Sequence, residues 1–216
     1  MKKLVLKTVC ITLAGILALG VILFGIFALI SPKTIANVAD KMGNYSVSVF
    51  YYEKAYEKSE SLDDLYTLIV KLDEESDGAK TEKYCEIMFK PANSGEVAVF
   101  MMKLDSKNVG AKVTTCEFIY GKYAIALCSQ NSIEKCKEMV NVSVNYAKVY
   151  GYTENAPLTV ALLTCGKNMN KETLQAIQSE ISKNDIAGNF NDLTAESRNN
   201  LTKDKVYLNK LINELN

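Results

Sequence analysis

At 216 residues the chain has room for one ordinary domain plus an appendage, and its 25 Lys+Arg balance 25 Asp+Glu, which removes the clustered positive charge that nucleic-acid binding requires. With no His, every imidazole mechanism is excluded: Ser-His-Asp and Cys-His nucleophiles, His-ligated zinc and haem on a proximal His. Arg198 is the sole arginine, so bidentate grips on phosphate or carboxylate are scarce, and the expectation is a protein that is not an enzyme and holds no cofactor and no metal.

In chain order, the first feature is apolar. Residues 8–32 carry no charge, and the run over 9–30 exceeds the roughly 20 residues of helix that cross a bilayer core of about 30 Å. The pattern predicts a short basic cytoplasmic N terminus over 1–8 and a transmembrane helix in the lipid bilayer over 9–30. A cleaved signal peptide is the rival, but its apolar core is shorter and ends in small residues, whereas this run closes on Phe27, Ala28, Leu29 and Ile30. Lys2, Lys3 and Lys7 precede the run and Lys33 and Lys41 follow it. The positive-inside rule therefore places the N terminus in the cytoplasm and the remainder outside, a single-pass plasma-membrane protein. Gly15, Gly20 and Gly25 are five apart and form no small-xxx-small pairing face. Lys-heavy, Arg-poor usage fits an AT-rich bacterial genome.

Beyond Pro32, helical periodicity dominates. Ile35, Val38, Ala39 and Met42 recur at three and four up to the Gly43-Asn44 break. Val49, Tyr52, Ala55 and Tyr56 mark a second helix over 46–58, and Leu65, Leu68, Ile69 and Leu72 a third over 62–72. A turn at Ser76-Asp77-Gly78 precedes a helix over 79–89, and punctuation at Pro91 to Gly95 follows it. The apolar run over 97–104 reads as helix because no second β-like run exists to pair with it. A long helix over 111–128 comes next, then one from Asn131, whose side chain is expected to form a capping box with Glu134, ending at Gly151. A short apolar helix over 156–165 closes at Gly166, Asn170 caps a helix over 171–182, and 202–215 forms the last one. The stretch from Asn184 to Asn200 is expected to be a loose polar linker.

Helices joined by short turns predict an all-α fold, an α-solenoid of antiparallel pairs over 31–183, followed by a polar linker and C-terminal helix over 184–216. Cys10 lies in the apolar run; Cys85, Cys116, Cys128, Cys136 and Cys165 follow, an odd number with no C-x-x-C pair, so buried free thiols are expected. One pair, Cys128 and Cys136, flanks the turn at Ser129-Gln130-Asn131, where a helical hairpin would bring them near each other.

The segment Gly43-Asn44-Tyr45-Ser46-Val47-Ser48-Val49-Phe50-Tyr51-Tyr52-Glu53-Lys54-Ala55 resembles the second helix of a tetratricopeptide repeat, whose consensus there reads G-x-Y-x-x-A-I-x-Y-Y-x-K-A. Gly43, Tyr45, Tyr51, Tyr52, Lys54 and Ala55 match, Ser48 stands for the small Ala and Val49 for the Ile. Gly43 suits a tight inter-helix turn, and Ser48, Tyr52 and Ala55 suit close packing between helices. One period on, 76–90 keeps the helix but not the signature. The resemblance implies a concave face lined by the preceding helix, where Lys33, Asn37 and Lys41 are the expected partner-binding positions.

Other chemistry is sparse. Ser132-Ile133-Glu134-Lys135 satisfies S-x-x-K without its companion motifs. The carboxylates at Asp63-Asp64 and Asp73-Glu74-Glu75 lie at helix ends, where a solvated role suffices. The functional expectation is therefore a membrane-anchored scaffold for protein partners near the bilayer, in a translocation or envelope-assembly complex. The alternatives are a membrane-tethered hydrolase using carboxylate or Ser-Lys chemistry and a secreted helical domain.

Overall fold

The structure is a computed structural model that describes residues 2–74, 77–90, 94–107 and 110–215, with side chains described at these positions except 2–10, 23, 24, 27–29, 73 and 74. Pro91, Ser76 and Glu75, and the side chains of Lys2, Lys3, Lys7, Cys10, Phe27, Ala28, Leu29, Asp73 and Glu74, lie outside the described set. Among the described residues the chain is all-α: α1 Lys2–Ile30, α2 Pro32–Lys41, α3 Tyr45–Ser59, α4 Leu62–Glu74, α5 Gly78–Met88, α6 Ser94–Lys107, α7 Thr115–Ser129, α8 Ile133–Tyr150, α9 Pro157–Cys165, α10 Lys171–Ile186 and α11 Ala195–Glu214, with a 3-10 turn at Gly166–Asn168. The apolar run at 97–104 lies inside α6, where helical hydrogen bonds satisfy its backbone without a partner strand.

The expected transmembrane span over 9–30 does not stand. Among the described residues, no helix is long and apolar enough to cross a membrane. The single-pass plasma-membrane location, with cytoplasmic N terminus and extracytoplasmic remainder, is corrected accordingly. Ile11, Leu13, Ile16, Leu17 and Val21 of α1 are exposed.

The chain divides into two units, 1–71 and 72–216. In the first, α2 opens on Pro32 at its first turn, where a missing N–H costs nothing. Gly43, at φ +70, makes the turn that ends it, and the Asn44 side chain caps α3 by accepting from the Val47 N–H at 3.3 Å. α2 and α3 pack antiparallel: the Tyr52 hydroxyl donates to Asn37 Oδ1 at 2.6 Å, and Lys58 Nζ reaches the Ile30 carbonyl at 2.9 Å. Two ion pairs tie α2 to α4, Lys33 with Asp64 at their first turns and Asp40 with Lys71 at 2.9 Å toward their last. Start meets start and end meets end, so α2 and α4 run parallel.

In the second unit α7 is the central helix, packed by α5, α6, α8 and α9. Its buried residues, among them Cys116, Ile119, Tyr123, Ala124, Leu127 and Cys128, occupy most of its circumference, as a helix enclosed on nearly all sides requires. A capping box, Thr114 with Glu117, starts it. The expected box at Asn131 and Glu134 is absent: Asn131 sits at φ 51 in the tight connection between α7 and α8, and Ser132 occupies the cap position without a side-chain bond. Asn131 spends its conformational tolerance on the turn and is one residue too early to cap. Gly151, at φ +79, ends α8 as expected.

α9 returns beside α7. A Cβ on Gly121 would touch Val160 at 3.6 Å, and the Cys128 sulfur lies 3.8 Å from the Ala161 carbonyl; Ser129 at the end of α7 and Cys165 at the end of α9 line one cavity, so α7 and α9 are parallel. Asn170 caps α10 at 2.8 Å to the Thr173 N–H. The loose linker expected over 184–200 is corrected. α10 continues to Ile186, Thr194 caps α11, which starts at Ala195, seven residues before the expected start, Phe190 is buried, and Arg198 donates to the carbonyls of Asn191 and Leu193. Thr194 and Arg198 hold the turn together although both are exposed. α10 and α11 pack antiparallel, with Gln178 against Asn209 and Asp185 against Lys205.

Candidate functional site

The strongest concentration of interacting side chains lies in the second unit, where α5, α7 and α8 meet. Glu82, Glu86 and Phe89 follow one another on α5 and its end at spacings of four and three, so they share one helix face. Tyr120 and Tyr123 do the same on α7, as do Glu138, Asn141, Val142 and Asn145 on α8. Glu86, Phe89, Tyr120, Tyr123, Glu138, Asn141, Val142 and Asn145, with Lys90, line an open cleft of about 490 Å3. Phe89 stacks on Tyr120 with ring centroids 3.9 Å apart, and Tyr120 meets Tyr146 edge-on at 5.3 Å. This aromatic layer forms the wall.

Carboxylates crowd the rim. Oxygens of Glu82, Glu86 and Glu138 lie within 4.8 Å of one another. Both Glu82 oxygens are occupied, one by Lys135 Nζ and one by the Gln130 amide. Burial would raise the Glu82 pKa, but those donors and the Lys135 charge outweigh it and hold the carboxyl below its usual range. Glu86 goes the other way: burial, then the negative charges of Glu82 and Glu138, push it up. Lys135 also reaches Glu138 at 3.3 Å, and Glu82 above all keeps its ammonium protonated. Three acidic groups thus share one neighbouring lysine, with Lys90 at the edge, and the site carries more negative charge than it neutralises. A hard cation would find oxygens here, although Glu82 is already committed to its two donors.

The positions expected from sequence lie elsewhere, in the first unit. Lys33 is ion-paired with Asp64, whose carboxyl burial would raise but which the bonds from Lys33 and Ser59 pull below its usual range. Asn37 accepts from Tyr52, and Lys41 is exposed in the last turn of α2. Two of the three thus serve packing between helices. Of the signature residues, Ser48, Tyr52 and Ala55 are buried, Gly43 makes its turn and Tyr45 is exposed. Lys135 of the S-x-x-K motif is engaged by Glu82 as a protonated ammonium, so it has no lone pair with which to take a proton from Ser132.

Sequence reading passed over Glu82, Glu86, Phe89, Tyr120 and Glu138. A weak signal existed: Glu82, Glu86 and Phe89 recur at four and three along α5 and its end, although Glu82 is itself buried beside Thr81, Tyr84, Cys85 and Met88. A second, more polar cavity of about 650 Å3 lies between the α8–α9 connection and α11, lined by Glu117, Tyr152, Thr153, Ser197, Asn200 and Lys203 among others. Near it Asp204 accepts from the hydroxyls of Tyr152 and Thr159, both at 2.6 Å, and burial raises its pKa. These bonds join α11 to α9 and to the α8–α9 connection and occupy the polar groups with one another. No family model, no curated protein and no solved structure matches the chain.

Proposed function

We propose that the protein is a non-catalytic helical scaffold, tetratricopeptide-like in its antiparallel α2–α3 pair and solenoid-like in its helix succession, that binds protein partners and receives a Lys- or Arg-bearing segment in the α5–α7–α8 cleft. The observation that carries this reading is the excess of carboxylate over cation beside an aromatic wall, in a cleft that is open rather than enclosed. An ammonium or guanidinium entering it neutralises Glu86 and Glu138, while its aliphatic stem lies along Phe89 and the tyrosines. Asn141 and Asn145 offer amides to the backbone of an extended segment. The α2–α3–α4 and α7–α8–α9 successions, each with parallel first and third helices, support the repeat-like reading.

The reading is tested with a panel of synthetic peptides in which Lys and Arg are varied at constant length against acetyl-lysine and Glu versions, measured by fluorescence anisotropy. The basic peptides are expected to bind, and Glu86→Gln combined with Glu138→Gln to weaken them about tenfold, the equivalent of one lost charge-assisted contact. Equal binding of basic, neutral and acidic peptides, or unchanged affinity in the double variant with its helix content intact, would sink it.

A further inference from the structure

We propose that Cys128 and Cys165 form a reversible disulfide that locks α7 to α9, with Cys165 the thiol that meets a peroxide first. The pair is close by construction. The Cys128 sulfur lies 3.8 Å from the carbonyl of Ala161, and Cys165 stands one helical turn beyond Ala161, its Cα–Cβ bond tilted back toward that residue. Each thiol shifts the ionisation of the other, as close neighbours do, and both cysteines are free.

They differ in access. Cys128 is fully buried, whereas Cys165 is only half-buried and lines a cavity of about 170 Å3 with Lys122, Thr81 and Ser129. One sulfur is reachable by a small oxidant and the other waits behind it, which is the division between an attacking and a resolving thiol. The ionisation of the two agrees. The neighbouring Cys128 thiol lowers the Cys165 pKa against the opposing effect of burial, while Cys165 and then burial raise Cys128. Cys136 is buried nearby, its thiol pushed up to about 11 by burial and then by the charge at Cys165. Cys128 and Cys136, the pair that flanks the turn, are both free, as is Cys165, and the proposed link runs instead across the α7–α9 packing.

The chemistry balances with hydrogen peroxide as oxidant. The Cys165 thiolate attacks one peroxide oxygen; a sulfur–oxygen bond forms, the oxygen–oxygen bond breaks, and the departing hydroxide takes a proton to become water. The Cys128 sulfur then attacks the sulfenic sulfur of Cys165; the sulfur–sulfur bond forms, the sulfur–oxygen bond breaks, and the hydroxide leaves as water with the Cys128 proton. Two thiols and one peroxide give one disulfide and two waters, and a small dithiol restores the thiols by exchange.

The test titrates the purified full-length chain with hydrogen peroxide under native conditions, alkylates the remaining thiols and maps peptides without reduction. The expected product has lost two hydrogens, links the Cys128 and Cys165 peptides, reverts with dithiothreitol and melts about 5 °C or more higher, because the cross-link ties two packed helices. Cys136→Ala should leave the link intact, and Cys128→Ala should leave a dimedone-reactive sulfenic acid on Cys165. A first link between any other pair, Cys165 running on to sulfinic acid in the unsubstituted chain, or no oxidation of Cys165 while the protein stays folded would each overturn the proposal. Mapping of the unsubstituted chain decides it even if a variant fails to fold.

Discussion

Two stretches of the molecule build the same local arrangement from opposite materials. In α2–α3–α4 the parallel outer helices are tied at both ends by ion pairs, Lys33 with Asp64 and Asp40 with Lys71, all four side chains partly open to solvent. In α7–α8–α9 the parallel outer helices approach through Gly121, Ala161 and the Cys128 thiol, which are buried. Charged ends set the register of two helices at little net gain in stability, because solvent screens them. Small buried residues let the helices approach closely, and the dispersion attraction between them does not depend on pH or salt. The first arrangement should respond to solution conditions and the second to side-chain volume.

The largest expected effect breaks the close packing. Gly121→Leu drives a branched side chain into Val160 and should cost roughly 1–3 kcal/mol in urea denaturation, whereas Gly121→Ala, whose methyl meets Val160 at an ordinary 3.6 Å, should be neutral or stabilising by up to about 1 kcal/mol. Equal losses in both variants would show that volume at the α7–α9 contact is not what matters.

A smaller effect, of opposite sign, is expected at the α2–α3 contact. The Ser48 hydroxyl is buried and has no hydrogen-bond partner among the described residues. Ser48→Ala should therefore raise stability by about 1 kcal/mol, the desolvation cost of an unmet hydroxyl. A loss on thermal melting would mean that the hydroxyl is satisfied after all.

The smallest effect sharpens the contrast through pH. Asp64 has a folded-state pKa below its unfolded value, so its contribution is present above the unfolded value of about 4 and is lost as pH falls through the lower folded value. Hydrogen exchange of α2 and α4 amides should accelerate in that acid window in the unsubstituted chain. In Asp64→Asn the Asp64 share of that acceleration should disappear, with a penalty at neutral pH of about 1 kcal/mol or less because Lys33 is half-exposed. α7 and α9 amides should show neither change. Parallel acid profiles in the two regions would contradict the distinction between charged and close-packed ties.

Much of the helix pattern was legible because its signals are local. Gly43 and Gly151 stop helices through their own backbone freedom, Asn170 caps from one residue away, and stripes such as Leu65, Leu68 and Ile69 record a buried face directly. Local signals failed where two roles competed for one residue. Asn131 has the chemistry of a cap but serves the turn, and the polar residues of 184–200 look solvated while Thr194 and Arg198 fasten them to α11. The apolar run over 9–30 read as a membrane span, yet no described helix meets that requirement.

By itself the sequence determined that the chain is helical, where most helices begin and end, and that histidine chemistry is impossible, because caps, glycines and hydrophobic period act within a few residues of one another. Only the tertiary structure decided which helix faces meet. Glu82 finds Lys135 from 53 residues away, the Cys128 sulfur meets the Ala161 carbonyl of α9, and Lys33 is spent on Asp64. Partners so far apart in the chain are chosen by how whole helices pack, and helix periodicity says which face is buried without saying against what.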